Sequence, residues 1–381
     1  MRHTATAILI AIIAFGDPSV ATANAGTPLM WASALHMLFG NAAIGVFEGM
    51  LLASVFKVQM PRAVGLMILA NYLSAWLGWA WLVGRIEKQI RFDLYNTWAL
   101  LWLLVAVAYV VTIVLEWPFV AGCFVGKCNW FRRSCTASLM VQTVSYILLF
   151  GWYGLASGTS LYTKMSIVAL DQVLLPDDVL VYYIADEDGD VYLRELSTGR
   201  TEKVFELNST DRNDTLSFGG TGWQPGNPPE LVVLLESGDI NNPESIPVGV
   251  TVPEAAVPHD DDGRIERRGR FVSPSAGQAT KLGAAAGSPW SFDAGYWPIV
   301  GLRGENHRTG EQIAFALETP FAQWAVRNAI LLPTDRVLFQ LGERQICVLE
   351  PESRKIARLT FGRGAVAVLR QPPQPVTAVQ K

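Results

Sequence analysis

Charged residues are scarce in this 381-residue chain: they make up 17% of it, and only four residues are His. Half of the residues are apolar, and 13 are Trp. A chain this apolar is not an ordinary soluble domain, and it is long enough for two structural units. Residues 1–159 hold 9 Lys and Arg against 5 Asp and Glu, whereas residues 160–381 hold 21 against 29. The acidic second half argues against a nucleic-acid partner.

The sequence also lacks the short motifs that carry enzymatic chemistry. It has no G-x-S-x-G nucleophile turn, no H-E-x-x-H zinc motif and no Walker A phosphate loop. Its histidines are scattered, so we expect surface or interfacial residues at these positions. The sequence therefore predicts a protein that is not an enzyme and that binds no cofactor.

Long apolar stretches dominate the first half of the chain. A transmembrane α-helix needs about 20 apolar residues, because each backbone N–H and C=O must be paired within the segment. A secretory signal peptide is predicted at residues 1–25, with an uncleaved anchor as the alternative. For residues 26–159 the expected fold is an integral membrane α-helical bundle of four transmembrane helices, with spans at about 29–56, 63–84, 97–121 and 136–158.

The positive charges predict the orientation of these helices. The connections at residues 57–62 and 122–135 carry Lys and Arg without any acid, whereas residues 85–96 also carry two acids. Lys and Arg are retained on the cytoplasmic side of a membrane. Together with the signal peptide, this predicts a multi-pass protein of the cell membrane, with residues from about 160 onward outside the cytoplasm.

Polar residues inside the spans form the main candidate site. Asn41, Gly45 and Glu48 follow helical spacing and share one face, and Gly45 and Gly49 allow a neighbouring helix to approach closely. We expect this face to contact other helices and the remaining faces to contact membrane lipid. The predicted intramembrane cluster consists of Asn41, Glu48, Asn71, Glu116 and Gln142.

Two acids in this cluster suggest a chemical role. Glu48 and Glu116 are expected at similar depths in the inner half of the membrane, and no Lys or Arg lies inside the predicted spans. Because an isolated carboxylate is costly in hydrocarbon, the two acids could share a proton or coordinate a cation. A small cation- or proton-coupled transporter or sensor is one interpretation of this pair. In the structural alternative, Glu116 reaches the interface and Glu48 is a neutral hydrogen-bonding group between helices.

A weaker candidate site is a cysteine-rich connection. Cys123, Cys128 and Cys135 form a C-x4-C-x6-C set, which lacks the close C-x2-C spacing typical of zinc and iron–sulfur sites. Redox or metal handling by these thiols is one interpretation, and thiols without a role are the other. Cys347 has no cysteine near it in the second half, so no disulfide is expected there.

A second weak candidate is a calcium site. Asp186, Asp188 and Asp190 alternate as in the first part of a calcium-binding loop. The distal Glu of such a loop is missing, because the twelfth position would be Ser197. An ordinary hairpin turn is the alternative that the same residues favour.

The second half of the chain predicts β-structure. Two segments that begin at Asp178 and Asp335 each predict three strands joined by tight turns, and a weaker unit begins at Pro298. This pattern resembles the blades of a β-propeller, at about 40 residues per blade. Residues 160–370 would hold four or five blades. An irregular β-sandwich or barrel is the alternative, because loop-rich residues 208–230 and 253–290 break the period.

These features predict a multi-pass membrane protein that presents a β-rich binding or scaffold domain outside the cytoplasm. Its expected partners are membrane lipid and a protein, glycan or envelope component. Residues 371–381 are rich in Pro and Gln and are expected to be a disordered tail. The pattern does not predict an oligomeric state.

Overall fold

The computed structural model describes residues 33–78, 80, 93–157, 165–218, 227–235, 244–259, 277–294, 301–315, 317–318 and 323–370. The predicted signal peptide, the predicted tail and parts of the loop-rich segments lie outside these residues. The described chain has two parts, which are a group of helices up to residue 157 and a mostly-β domain after it.

The helical part contains four long helices among its described residues. They are α1 (Asn41–Phe56), α2 (Met60–Gly78), α3 (Thr97–Gly122) and α4 (Trp130–Ser157). In the ranges that the structure describes, three helical segments are long and apolar enough to cross a membrane: Ser33–Phe56, Thr97–Gly122 and Trp130–Tyr153. The helix α2 is not among them, so the predicted bundle of four spans is not confirmed.

The glycines of α1 bring it close to α2. A Cβ atom added to Gly45 would lie 2.5 Å from the Cα atom of Ile68, and one added to Gly49 would lie 2.4 Å from the Cα atom of Val64. Only a residue without a side chain permits such a close approach. Further contacts join α2 to α3, α3 to α4 and α4 to α1, so the four helices surround a common centre.

Within the described residues the β domain contains eighteen strands. They are β1 (Ser166–Ile167), β2 (Val179–Ala185), β3 (Val191–Glu195), β4 (Thr201–Phe205), β5 (Thr215–Phe218), β6 (Glu230–Leu234), β7 (Ser245–Thr251), β8 (Gly277–Gln278), β9 (Thr280–Lys281), β10 (Trp290–Ala294), β11 (Leu302–Asn306), β12 (Gln312–Phe315), β13 (Leu317–Glu318), β14 (Gln323–Trp324), β15 (Val326–Leu332), β16 (Arg336–Leu341), β17 (Gln345–Glu350) and β18 (Lys355–Leu369).

Nine of these strands form one curled sheet that resembles half of a barrel. The order is β4-β3-β2-β18-β17-β16-β15-β9, and β1 also pairs with β18. The long strand β18 pairs with β17 along its first half and with β2 along its second half. The smaller sheets have the orders β5-β6-β7, β12-β11-β10-β8 and β13-β14.

A mostly-β second half is confirmed, whereas a propeller is not. The two similar segments correspond to β2–β4 and β16–β18, and all six strands lie in the nine-stranded sheet. The physical reason is the length of β18, which continues beyond its own unit and forms backbone hydrogen bonds with β2. The two units therefore join edge to edge instead of forming separate blades.

Both faces of the central sheet are buried. Successive side chains of a strand point to opposite faces, and in β16 Val337 and Phe339 join one apolar cluster while Leu338 joins another. In β17, Cys347 and Val348 divide in the same way. This burial explains why these strands are continuous apolar runs.

The segment before α3 fixes the helices to the β domain. Leu94 is 1% exposed and belongs to the same apolar cluster as Phe339. Its N–H donates to Oε1 of Gln345 at 2.8 Å, and Asp93 forms an ion pair of 2.9 Å with Arg358. The amino-terminal end of α3 is therefore docked on the β domain.

The other two connections between helices meet at the opposite end of α3. Nζ of Lys127, in the connection from α3 to α4, donates to the carbonyl oxygen of Lys57 at 2.8 Å. Lys57 directly follows α1. The segment at residues 93–96 thus lies at the β-domain end of the helices, and the two basic connections lie at the far end. Which of these two ends lies in the cytoplasm stays a prediction of the charge pattern.

Candidate functional site

The buried face of α1 carries the first acid. Asn41, Gly45, Glu48, Gly49 and Leu52 are the buried residues of this helix. Their spacing of three and four residues places them on one face. Glu48, which is 0% exposed, is the only ionisable residue on that face.

Two neutral groups hold the Glu48 carboxyl. Nδ2 of Asn71, on α2, donates to Oε2 of Glu48 at 2.5 Å. The hydroxyl of Ser145, on α4, donates to Oε1 of Glu48 at 2.5 Å. Both carboxyl oxygens therefore accept a hydrogen bond, and the two donors come from different helices.

The Glu116 carboxyl, on α3, has a matching environment. The hydroxyl of Ser74, on α2, donates to Oε1 of Glu116 at 2.5 Å. Nε2 of Gln142, on α4, donates to Oε2 of Glu116 at 2.5 Å. Glu116 is 1% exposed, so it faces the interior and not the interface where the structural alternative would place it.

The two environments repeat one pattern across two helical hairpins, α1–α2 and α3–α4. Each glutamate takes an amide donor from the second helix of its own hairpin and a hydroxyl donor from the other hairpin. We call Glu48 and Glu116 the acid pair. Its four hydrogen bonds connect all four helices at their common centre.

The acid pair carries no compensating positive charge in the described structure. None of the ion pairs among the described residues involves either carboxyl. The two carboxyls also interact electrostatically with each other. If both were ionised, two like charges would face each other in a site that water does not reach, which is costly.

The structure brings together four of the five predicted cluster residues. The fifth, Asn41, is buried but donates to the carbonyl oxygen of Met37 at 3.2 Å and has no recorded contact with the acid pair. Ser74 and Ser145 were missed in the sequence. Each lies three residues after a predicted amide, Asn71 or Gln142, and this helical spacing is the signal that could have identified them.

The predicted cysteine site is not assembled. Cys123 is buried at the end of α3, whereas Cys128 and Cys135 are exposed, and all three are free thiols. Among the described residues no group of three His, Cys, Asp or Glu is placed to hold a metal ion. Cys347 is fully buried, and burial raises the pKa of its thiol.

The three aspartates of the predicted calcium loop are all engaged by groups of the protein itself. Asp190 accepts hydrogen bonds from Nζ of Lys203 at 2.6 Å and from the N–H groups of Leu207 and Asn208 at 2.8 and 2.9 Å. The Lys203 bond, followed by the Asn208 bond, lowers the pKa of Asp190 to about 2.

Asp188 shares Lys203 with Asp190, at 3.6 Å, whereas Asp186 has a different cationic partner. Asp188 accepts from the hydroxyl of Tyr192, and Asp186 lies 3.6 Å from Arg344. The three carboxylates thus hold the hairpin between β2 and β3 and the segment that follows β4.

Comparisons with known proteins add no family to this description. No protein-family model matches the chain, and no curated protein matches it significantly.

Proposed function

We propose that this protein is a proton-responsive membrane sensor, in which protonation of the acid pair is transmitted to the β domain. The observation that carries this proposal is the set of four neutral hydrogen bonds to two buried glutamates, without a cationic partner among the described residues. The free-energy cost of burying two acids without a positive partner is lowest when at least one of them carries a proton.

The groups around the acid pair favour a proton over a metal cation. A hard cation is bound by oxygen atoms that point toward it. Here Asn71 and Gln142 direct NH₂ groups at the carboxyls, and Ser74 and Ser145 direct hydroxyls at them. These groups occupy the positions around the carboxyls where the oxygen ligands of a cation would have to lie.

One helix provides the route from the acid pair to the β domain. Glu116 lies on α3, and the same helix begins at the docked segment that contains Asp93 and Leu94. Helices behave as rigid elements over this length, so a shift at Glu116 moves the amino-terminal end of α3. The docked segment is where such a movement would reach the β domain.

The proposal includes a membrane topology of four spans after a signal peptide. The exposed side chains of α2 support its role as a span in addition to the three helical segments named above. Leu69, Leu73 and Leu77 are apolar and exposed, and they lie away from the other helices. The basic residues at the far end of the helices support a cytoplasmic location for that end. The β domain then lies outside the cytoplasm.

The β domain is the output of the proposed sensor. We propose that it contacts a protein, glycan or envelope component, and that its contact depends on the state of the acid pair. The acidic charge of residues 160–381 supports a partner other than nucleic acid.

Hydrogen exchange in the docked segment tests this function. The full-length protein in lipid nanodiscs is compared at mildly acidic and alkaline pH, after correction for the intrinsic pH dependence of exchange. We expect the amides of Leu94 and Thr97 to exchange faster at alkaline pH, because ionisation of the acid pair loosens α3. A double variant, Glu48→Gln with Glu116→Gln, should show no change with pH.

A matched variant controls for the effect of replacing a glutamate with glutamine elsewhere in the chain. Glu352→Gln changes an exposed acid in the turn between β17 and β18 and should behave as the parent does. If the parent shows no pH dependence in the docked segment, or if the double variant keeps it, the proposed coupling is wrong.

A further inference from the structure

A second hydrogen bond of Asn71 fixes the orientation of its amide group beside Glu48. Nδ2 of Asn71 donates to Oε2 of Glu48 and also to the carbonyl oxygen of Met67, at 3.0 Å. An amide NH₂ group has two hydrogens, and both are used. Reversal of the Asn71 amide would place its side-chain oxygen against the carbonyl oxygen of Met67. Oε2 of Glu48 is therefore held as an acceptor.

The other oxygen of Glu48 is also held as an acceptor. The hydroxyl of Ser145 has one hydrogen, and its recorded bond goes to Oε1 of Glu48. Within the described residues Ser145 has no second acceptor for that hydrogen. Protonation of Glu48 would leave a buried hydroxyl hydrogen or an amide hydrogen unpaired, which is costly.

Ser74 gives Glu116 a different environment. The oxygen of Ser74 lies 2.5 Å from Oε1 of Glu116 and 3.2 Å from the backbone carbonyl oxygen of Asn71. The single hydroxyl hydrogen can point to either acceptor. When it points to the Asn71 carbonyl, the Ser74 oxygen can accept a hydrogen bond from a protonated Glu116, and both states leave every hydrogen paired.

The second partner of Glu116 also adapts to either state. Within the part of the chain that the structure describes, the Gln142 side chain forms a hydrogen bond with Oε2 of Glu116 alone, so no second hydrogen bond there fixes which end of its amide faces the carboxyl. A primary amide can present NH₂ to an ionised carboxylate or its oxygen to a protonated one. Asn71 lacks this freedom at Glu48.

The other titratable groups on the helices around Glu116 do not replace it as the group that binds the proton. From α1 the facing acid is Glu48. From α2 the ionisable residues are Arg62, which is exposed, and Tyr72, whose hydroxyl donates to the carbonyl oxygen of Leu38. From α4, Tyr146 lies within electrostatic range of Glu116 and is hydrogen-bonded to Thr112 at 3.1 Å.

The two basic residues of α4 lie outside this environment. Arg132 and Arg133 are exposed near the start of α4, about two helical turns or more from Gln142. The acid pair is therefore the titratable centre of the site.

We infer that the acid pair is divided in function: Glu116 binds and releases the proton, Ser74 is the positioning hydroxyl that reverses its hydrogen bond, and Glu48 stays ionised. On release, the O–H bond of the Glu116 carboxylic acid breaks and the proton is transferred to bulk water when an opening of the helices admits solvent to the closed site. The Ser74 hydrogen turns from the Asn71 carbonyl to Oε1 of Glu116. This assignment rests on the proposed function, because it names the group that carries the proton.

Infrared difference spectroscopy of the full-length protein in nanodiscs tests the assignment. Protonated carboxylic acids have a C=O stretching band that ionised carboxylates lack. We expect the parent to lose one such band between neutral and alkaline pH. Glu116→Gln should abolish this band, and Glu48→Gln should keep it.

The serines provide a second test with both acids in place. Ser74→Ala removes the acceptor of the Glu116 proton and should shift the frequency of the band and its pH midpoint. Ser145→Ala makes the matched change at Glu48 and should leave the frequency of the band unchanged. If the glutamine variants do not fold, this comparison decides the assignment alone.

The outcomes separate the assignment from the proposed function. A band that is lost in Glu48→Gln but kept in Glu116→Gln, or lost in both, would overturn the assignment and keep a proton at the acid pair. A frequency shift in Ser145→Ala without one in Ser74→Ala would also overturn it. The absence of any band from either glutamate would overturn both the assignment and the proposed function.

Discussion

At the residue scale, Asp190 shows how one carboxylate fixes a long segment of chain. It joins the hairpin between β2 and β3 to residues 207 and 208 through two backbone hydrogen bonds and one bond from Lys203. Gly189 is adjacent, and its φ of 74° together with the carbonyl oxygen of Ser209, 2.0 Å from an added Cβ atom, excludes a side chain there. The same residues that resemble a calcium loop therefore form a structural turn.

Replacement of this carboxylate should remove its stabilisation and its pH dependence. The folded pKa of Asp190 is lowered from 3.8 to about 2, so its contribution is fully present above pH 4 and is lost as the pH falls through about 2. Asp190→Asn should lower the free energy of unfolding by about 1–3 kcal/mol at neutral pH. Thermal unfolding of the full chain, compared at neutral pH and near pH 2, measures this. An equal loss at both pH values would contradict the role of the charge.

At the scale of elements, the contact between α1 and α2 positions Glu48 against Asn71. The backbone of α2 passes directly over Gly45 and Gly49. If the two helices lay farther apart, the 2.5 Å hydrogen bond between Asn71 and Glu48 would break. The small residues are thus required by the site as well as by packing.

A single methyl group at this contact should destabilise the helices. Gly49→Ala forces α2 away from α1 and should cost about 1–3 kcal/mol. Gly65→Ala is the matched control, because nothing lies within 4 Å of its added Cβ atom and alanine favours a helix. Unfolding of the purified protein in mixed detergent micelles measures both variants. Equal stability of the two would show that the close approach does not exist.

The sequence predicts this level of organisation in part. Helical spacing of Asn41, Gly45 and Glu48 identifies the buried face of α1, and chain direction places Glu48 and Glu116 at similar depth. The pairing of Ser74 and Ser145 with the acids is not predictable from one helix, because it depends on how the two hairpins pack. The nine-stranded sheet was missed for the same reason, since the pairing of β18 with β2 joins residues that are far apart in the chain.

At the scale of the whole molecule, Leu94 is one of the residues that connect the two parts. Leu94→Ala removes a fully buried side chain and should cost about 2–5 kcal/mol, most of it in the β-domain core and the docked segment. Leu103→Ala is the matched control, because Leu103 lies on an exposed face of α3. Hydrogen exchange of residues 93–97 measures the effect. Unchanged exchange in Leu94→Ala would contradict the docking.

The proposed orientation predicts which thiol is accessible from each side. Cys128 is exposed in the connection at the far end of the helices, and Glu187 is exposed in a turn of the β domain. A membrane-impermeant maleimide should label a Glu187→Cys variant in intact cells, and it should label Cys128 only after the cells are opened. Because Cys135 is also exposed, Cys135→Ser serves as the background for this experiment, and Cys128→Ser in that background should remove the second signal. Labelling of Cys128 from outside would invert the proposed topology.

The pH dependence of stability tests the central claim most directly, namely that the acid pair holds a proton among four neutral hydrogen-bonding partners. The free energy of unfolding is measured from neutral to alkaline pH for the parent and for the double variant Glu48→Gln with Glu116→Gln. The parent should lose stability as the pH rises, because loss of the proton leaves two buried like charges, and the double variant should lack this decrease. An identical decrease in both proteins would show that the proton is bound elsewhere, and the account of the acid pair would be wrong.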